Sequence, residues 1–295
     1  MTETLEQTLT AYSAWLDRQP LAAKTRVAYR FQVRQYGAYL AQCPPMADDP
    51  LRTPFARDYA IRDYKTYLKT ERQAKPTSVN LALAAIDHFH RFIGNDRPQV
   101  SRESLPAQAP RALKPEEQKA FLRAVERASS TRDRAIAQLL FYTAIRLGEC
   151  VALNLDDMSV SARKGMVIIR SGKGDTYREV PLNAEVREVL RLWLKERTKR
   201  FPQTSDPAVF LNPKGKRLSA RSIDLIIRRI GADAHQELSA HILRHTCLTN
   251  LVRHGNDLVL VAEIAGHKRL ETTRRYSLPS VEDCEKAMES LQVDY

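Results

Sequence analysis

The residue pattern predicts a mainly α protein: an N-terminal helical bundle, then a mostly helical larger domain carrying a small antiparallel β-sheet. Three observations carry that expectation. Apolar residues recur at helical spacing through residues 1–94. A polar stretch marked by prolines, 95–112, breaks that periodicity. Helical patterns then resume around a single pair of strand-like runs between residues 166 and 181.

Taken in order, Leu5, Leu9, Tyr12 and Leu16 recur at helical spacing until Pro20 ends the run. A second helix is expected over 25–42, with Val27, Phe31, Tyr36 and Leu40 among its apolar positions and Pro44 and Pro45 beyond it. Residues 55–72 and 77–93 suggest two more, the last closed by Gly94, and four helices of this length make a compact bundle. Arg26, Arg30 and Arg34 fall four apart and form a basic ridge on the second helix. Pro98, Pro106, Pro110 and Pro115 sit among polar residues, as in an extended interdomain linker. The second part opens on Lys114-Pro115-Glu116-Glu117, a helix start with proline and acids in its first turn. Helices are expected at 115–128 and 132–142. A hairpin follows, with Met166–Arg170 and Tyr177–Pro181 flanking Ser171-Gly172-Lys173-Gly174-Asp175. Further helices are expected at 183–200, 219–230, 241–254 and 257–265, the last closed by Gly266, and at 280–291 in the tail.

Composition narrows the function. With 295 residues, 43% hydrophobic and 28% charged, the chain is globular. Its longest apolar run near the middle, 135–145, is interrupted by Gln138 and Thr143, short of the roughly 18 residues a membrane-spanning helix needs. The start, Met1-Thr2-Glu3, is acidic where a signal peptide is basic. Cys43, Cys150, Cys247 and Cys284 lie far apart with no Cys-x-x-Cys pair, which argues against a zinc ribbon or disulfide scaffold and for a cytoplasmic protein with reduced thiols. Forty-seven Lys and Arg against 35 Asp and Glu leave a formal charge of +12. A basic chain of this kind most often meets a polyanion, nucleic acid first, the alternative being a soluble enzyme that happens to be basic. On such a chain the ridge of Arg26, Arg30 and Arg34 is a candidate phosphate contact as well as a plain solvated face.

Four local clusters could carry chemistry. Thr143-Ala144-Ile145-Arg146-Leu147-Gly148-Glu149 interrupts an apolar helix, and its Arg146 and Glu149 alone suggest only a salt bridge. Lys173 sits between glycines that let a ligand approach the backbone. In His241-Ile242-Leu243-Arg244-His245, His241 and Arg244 share a helix face while Leu243 turns inward; His245 reads equally as a core histidine. Finally, Ala265-Gly266-His267 precedes Arg274-Arg275-Tyr276-Ser277. None is strong alone. Together, two arginines, a lysine, two histidines and a tyrosine suit attack on a phosphodiester, with the phenolic oxygen as nucleophile and the guanidiniums forked onto the non-bridging oxygens. With two guanidiniums present a metal ion is unnecessary, and the sequence offers no Asp/Glu cluster for magnesium.

The order Arg146, Lys173, His241-x-x-Arg244, His267, Tyr276 resembles the tyrosine recombinase (phage integrase) family, over about 113–277. The flanking residues agree: Arg-Leu-Gly-Glu from Arg146, Gly-Lys-Gly before Val180-Pro181-Leu182, His-Ile-Leu-Arg-His-Thr from His241, and Ala-Gly-His-Lys-Arg-Leu-Glu-Thr-Thr-Arg-Arg-Tyr ending at Tyr276. The resemblance implies a SAM-like core-binding domain at 1–94, a linker at 95–112 that passes around the DNA, a catalytic domain at 113–277 and a tail helix at 278–295 that is exchanged between protomers, the alternative being that it folds back on its own domain. It also implies site-specific recombination for integration, excision or dimer resolution. Tyr276 would form a 3′-phosphotyrosyl link; Arg146 and Arg244 would hold the phosphate; Lys173 would protonate the leaving 5′-oxygen. His241 would assist proton transfer or touch the phosphate, His267 would hydrogen-bond it, and Glu149 would orient Arg146. No cofactor is implied. The implied partners are a double-stranded DNA recombination site and a homotetramer on two such sites, with no membrane; an accessory or sister recombinase leaves no mark in these residues. A separate arm-binding domain is not expected, because the first helix begins within a few residues of Met1. The alternatives are relaxation of DNA by a type IB topoisomerase, and a DNA-binding protein that kept the fold and lost catalysis. One departure stands out. The family commonly has glycine two positions before the first arginine, where this chain has Ala144, and the expectation is that alanine tolerates nearly the same helical geometry.

Overall fold

The computed structural model describes residues 2–43, 48–105, 109–170 and 177–278, with 285 and 288–290. The chain divides into two compact units, Met1–Pro106 and Ala107–Tyr295. Among the described residues the first unit holds α1 (Thr2–Asp17), α2 (Ala23–Gln42), α3 (Pro54–Thr70) and α4 (Pro76–Phe92). Proline opens both α3 and α4, where its missing N–H costs nothing. Leu5, Tyr36, Leu40, Ile61, Tyr64, Val79 and Ile86 form one buried cluster, and Tyr12, Leu16, Val33 and Phe89 a second.

Helix α2 departs from the sequence expectation. Its buried face is Val33, Tyr36, Gly37 and Leu40, whereas Val27 and Phe31 are 61% and 57% exposed. At about 100° per residue, Phe31 and Val27 point about 140° and 180° away from Tyr36, so they cannot share its face. The close approach of α1 explains the glycine in this face: a Cβ on Gly37 would lie 2.6 Å from Leu9 Cδ1. The expected basic ridge is also partly engaged within the unit. Arg26 Nη1 donates to the carbonyls of Asp17 and Gln19, and Arg30 Nη2 donates to the Ser13 carbonyl and pairs with Asp17 Oδ1 at 2.5 Å, so both close off the end of α1. Arg34 is exposed.

The stretch expected as a linker is not free along its length. Arg57 Nη1 donates to the Asp96 carbonyl, Gln99 N donates to Asp58 Oδ1, and Lys65 Nζ donates to the Ser101 carbonyl. Asn80 and Glu103 exchange two bonds of 2.9 and 2.8 Å, and the Glu103 carboxylate pairs with Lys65 and Lys69. Leu113, at the far end, is buried in the second unit, with its N–H on Thr246 Oγ1. Polar composition therefore marks a strap bonded to α3 and α4 over residues 96–103.

The second unit is built around α6 (Thr131–Thr143), whose Ala135, Ile136, Ala137, Leu139 and Leu140 are fully buried. Against it pack α5 (Pro115–Arg127), α8 (Ala184–Arg200), α9 (Ala220–Asp233) and α10 (Ala240–Arg253). After α6 come the short α7 (Leu147–Ala152) and a three-stranded antiparallel sheet, β1 (Met158–Val160), β2 (Gly165–Ile169) and β3 (Arg178–Pro181), in that order. Val167 opposes Val180, and both face the core. The strand β1 has only three residues, too few for an alternation to register in sequence. The helices α11 (Leu258–Ala265) and α12 (Leu270–Arg274) follow α10. The hairpin turn with Lys173, and nearly all of the tail helix expected at 280–291, lie outside the described residues.

Trypsin should cut the native chain at exposed Arg111 before Arg102, because the Arg102–Glu103 peptide is held by Asn80. Asn80→Ala should open the Arg102 site, read as a new fragment by mass spectrometry.

Candidate active site

The site forms where three helix ends meet. Helix α6 stops at Thr143 because Ala144 turns left-handed, with φ 52° and ψ 17°. That turn sends the chain out so that Arg146 stands at the start of α7, its backbone N–H on Glu149 Oε2 at 2.7 Å. The expectation that Ala144 is helical is thereby corrected. The position is one that glycine occupies without strain, and alanine there costs about 1–2 kcal/mol. On α10, Leu243 turns inward and Arg244 is buried. Helix α11 ends at Gly266, left-handed at φ 63°, where a Cβ would lie 2.8 Å from Arg178 Nη1, so glycine is required twice over. His267 follows immediately, and α12 carries the chain on to Tyr276.

These ends gather three guanidiniums around one carboxylate. Glu149 accepts from Arg146 Nη1 at 2.7 Å on Oε1, and from Arg178 Nη1 and Nη2 at 3.1 and 2.6 Å on its two oxygens. Burial pushes its carboxyl up, but the bonds from Arg178 and Arg146 outweigh burial and hold it down at about 2. Arg244 Nη1 donates to the Ala144 carbonyl, and its Nη2 to the Ala265 carbonyl at 2.7 Å. Arg146 Nη2 donates to the Gly266 carbonyl at 2.8 Å. Burial first, and the charge of Arg146 second, bring Arg244 down to about 10, still cationic at neutral pH.

The imidazoles are neutral. His267 Nε2 lies 3.1 Å from Arg244 Nη2; since a guanidinium only donates, Nε2 accepts. The proton is then on Nδ1, which donates to Thr273 Oγ1 at 2.8 Å. Burial and the nearby Arg244 and Arg146 hold His267 at about 4. His245, read from sequence as a possible core residue, has its Nδ1 2.8 Å from the Tyr276 hydroxyl, in a hydrogen bond. Burial, His241 and Arg244 hold it at about 3. His241 is exposed on the same helix, its ring 4.0 Å from that of His245. The Tyr276 ring stacks on His267 at 6.1 Å and 5°. Its phenol is 7% exposed and pushed above its usual value by burial, against the pull of Arg244, Arg275 and Arg146.

Of the residues singled out from sequence, Arg146, Glu149, Arg244, His267 and Tyr276 are thus brought together, with His241 beside them through His245. Lys173 lies outside the described residues. Sequence reasoning missed Arg178, His245 and Thr273. The only hint of Arg178 was its inward position in the strand alternation before Val180. Among the described residues no three His, Cys, Asp or Glu side chains gather as metal ligands, and no helix is long and apolar enough to cross a membrane.

A buried phenol among guanidiniums and neutral imidazoles, on a mainly α scaffold with a small sheet, is an arrangement suited to nucleophilic attack on a phosphodiester. Residues 111–282 match the phage integrase family. The tyrosine recombinase XerA of Thermococcus kodakarensis is 31% identical over 73% of this chain and 76% of its own. The tyrosine recombinase XerC of Pseudomonas syringae pv. tomato is 30% identical over 92% and 91%. In fold, the chain is similar to a XerH site-specific recombinase solved with its difH substrate, at TM-score 0.73 and 21% identity over 90% of this chain and 79% of that one. The chain belongs to the phage integrase family and is a site-specific tyrosine recombinase acting on DNA.

Two outcomes follow. Ala144→Gly should leave stability within about 1 kcal/mol, since relief of the left-handed strain offsets the lost methyl burial. Ala144→Val should cost more than about 2 kcal/mol, because a branched side chain neither adopts that φ nor fits beside Cys247 and Leu248. Urea denaturation reads both. Stability should also fall on acidification. His245 and His267 stay neutral when folded but take a proton near 6.5 when unfolded, so the unfolded chain binds more protons as pH drops from about 6.5 towards 4. Glu149, held at about 2, adds a loss of the same sign below 4.5. The melting temperature should therefore drop by several degrees between pH 7.5 and pH 5.

Proposed function

We propose that this recombinase cuts each strand with Tyr276. The phenolic oxygen bonds to phosphorus and the P–O5′ bond breaks, leaving a 3′-phosphotyrosyl link and a 5′-hydroxyl. The phenolic proton leaves towards the paired imidazoles of His245 and His241, and Lys173 supplies the proton taken by the 5′-oxygen. Arg146 and Arg244 hold the non-bridging oxygens, where charge grows as phosphorus becomes five-coordinate. His267 hydrogen-bonds the same phosphate, and Glu149 orients Arg146. Because the covalent link keeps the bond energy, rejoining needs only the attack of another 5′-hydroxyl, with no cofactor. What supports this reading most is the position of the Tyr276 phenol, bonded to His245 and stacked on His267, which itself touches Arg244.

Exchanging both strands of two duplexes takes four cuts, each leaving one tyrosine bonded to DNA. A homotetramer on two double-stranded recombination sites supplies one nucleophile per cut, for integration, excision or dimer resolution. A core-binding unit at 1–94 and a catalytic unit at 113–277, joined through 95–112, would together hold each site. Arg34, exposed on α2, with Arg26 and Arg30 beside it, is offered to the phosphate backbone. A DNA substrate and free thiols at Cys43, Cys150 and Cys247 suit work in the cytoplasm.

On a nicked suicide substrate carrying the recombination site, the wild-type chain should accumulate a covalent DNA adduct that resists boiling in detergent. Tyr276→Phe should form none while its band-shift affinity is unchanged. An adduct with Tyr276→Phe would show that another residue is the nucleophile.

A further inference from the structure

The bond network assigns a role to a residue beyond the six expected catalytic positions. We propose that Arg178 is the positioning residue of this site, fixing Glu149, and through it Arg146, while tying the end of α11 that presents His267 to the strand β3. The inference rests on the phosphoryl-transfer reading above. Arg178 is 8% exposed, and each of its three guanidinium nitrogens donates to one of these two targets. Its Nη1 and Nη2 fork onto the two oxygens of Glu149 at 3.1 and 2.6 Å, and its Nε donates to the Ile264 carbonyl at 2.9 Å. The fit at Gly266 points the same way: any Cβ there would meet Arg178 Nη1 at 2.8 Å, so the turn before His267 is shaped around this guanidinium.

Arg178 is poorly placed to be a phosphate ligand, because it is buried and each of its three nitrogens already donates to Glu149 or Ile264. Its effect runs through others. Glu149 has two oxygens and three claims on them: the Arg146 backbone N–H, the Arg146 side chain and Arg178. Remove Arg178, and a 5% exposed carboxylate keeps a single cation bonded to it. The groups facing Glu149 are then Arg146 at the start of its own helix and Arg244 from α10, with Cys150 next in the chain. Burial, which Arg178 now outweighs, would raise the Glu149 carboxyl, and a protonated Glu149 would no longer hold Arg146 by charge.

The test is single-turnover cleavage of the nicked substrate between pH 5.5 and 8, with duplex affinity measured alongside, for wild type, Arg178→Gln, Arg178→Lys and the double variant Glu149→Gln with Arg178→Gln. Arg178→Gln should bind DNA as the wild type does and cleave about 10- to 100-fold more slowly at pH 7.5. Its rate relative to wild type should fall further towards pH 5.5, as Glu149 takes a proton. The double variant, with no carboxyl to titrate, should keep a constant ratio. Arg178→Lys, which restores charge but neither the fork nor the bond to Ile264, should lose the pH trend and stay slow. A ratio for Arg178→Gln that is near one, or is independent of pH, overturns the inference, as does the same acid limb in the double variant. Should Arg178→Gln lose its helical circular dichroism, Arg178→Lys decides: wild-type cleavage at wild-type affinity overturns the role, and slow cleavage supports it. Absence of an adduct with the wild-type chain would instead contradict the proposed chemistry itself.

Discussion

Gathering like charges in one place is the constraint on which this structure depends. Arg146, Arg178 and Arg244 would repel one another in a half-dry pocket, and one carboxylate, Glu149, cannot neutralise three. The rest of the compensation comes from backbone at the end of a helix. The last carbonyls of a helix have no partner within it and carry the negative end of its dipole. At the end of α11 three consecutive carbonyls, Ile264, Ala265 and Gly266, accept from Arg178, Arg244 and Arg146 respectively. The carbonyl of Ala144, just past the end of α6, takes a further bond from Arg244. One helix terminus thus fixes the spacing of the three cations. It leaves a net positive site whose guanidiniums are held in place by backbone carbonyls.

The two chain reversals beside the site, at Ala144 after α6 and at Gly266 after α11, are both left-handed. Gly266 turns with no strain, whereas Ala144 does so at a cost that its fully buried methyl and the Arg244 bond must offset.

Much of this was legible in the sequence, and the rest was hidden for identifiable reasons. The helices of both units follow from apolar spacing and proline punctuation, and the cap at Gly266 from its place after an apolar run. The motif residues could be picked out because their types and order belong to one chemistry. Arg178 could not, because its partners lie 29 and 86 residues away and an arginine in a strand usually faces water. Val27 and Phe31 misled because an apolar residue on a helix need not face its core. The conformation of Ala144 depends on what α6 and α10 need at that point, not on alanine's own preference for helix. The strap at 96–103 looked like a linker because hydrogen bonds to Asp58, Lys65 and Asn80 leave no trace in local composition.

The hydrogen-bond polarity around His267 carries the argument one step further. Nε2 is an acceptor for Arg244 and Nδ1 donates to Thr273, so the ring has no further proton to offer an anion. For His267 to donate to a phosphate oxygen, the proton must sit on Nε2, Thr273 must turn its hydroxyl to donate to Nδ1, and Arg244 must release the ring. Thr273 is fully buried beside it and can rotate its hydroxyl in place, so the reversal moves hydrogens and one guanidinium nitrogen but no backbone. A phosphate oxygen that draws Arg244 Nη2 away would drive all three changes at once. On the proposed role of His267, the substrate's own charge would reverse this hydrogen-bond sense while the backbone stays in place.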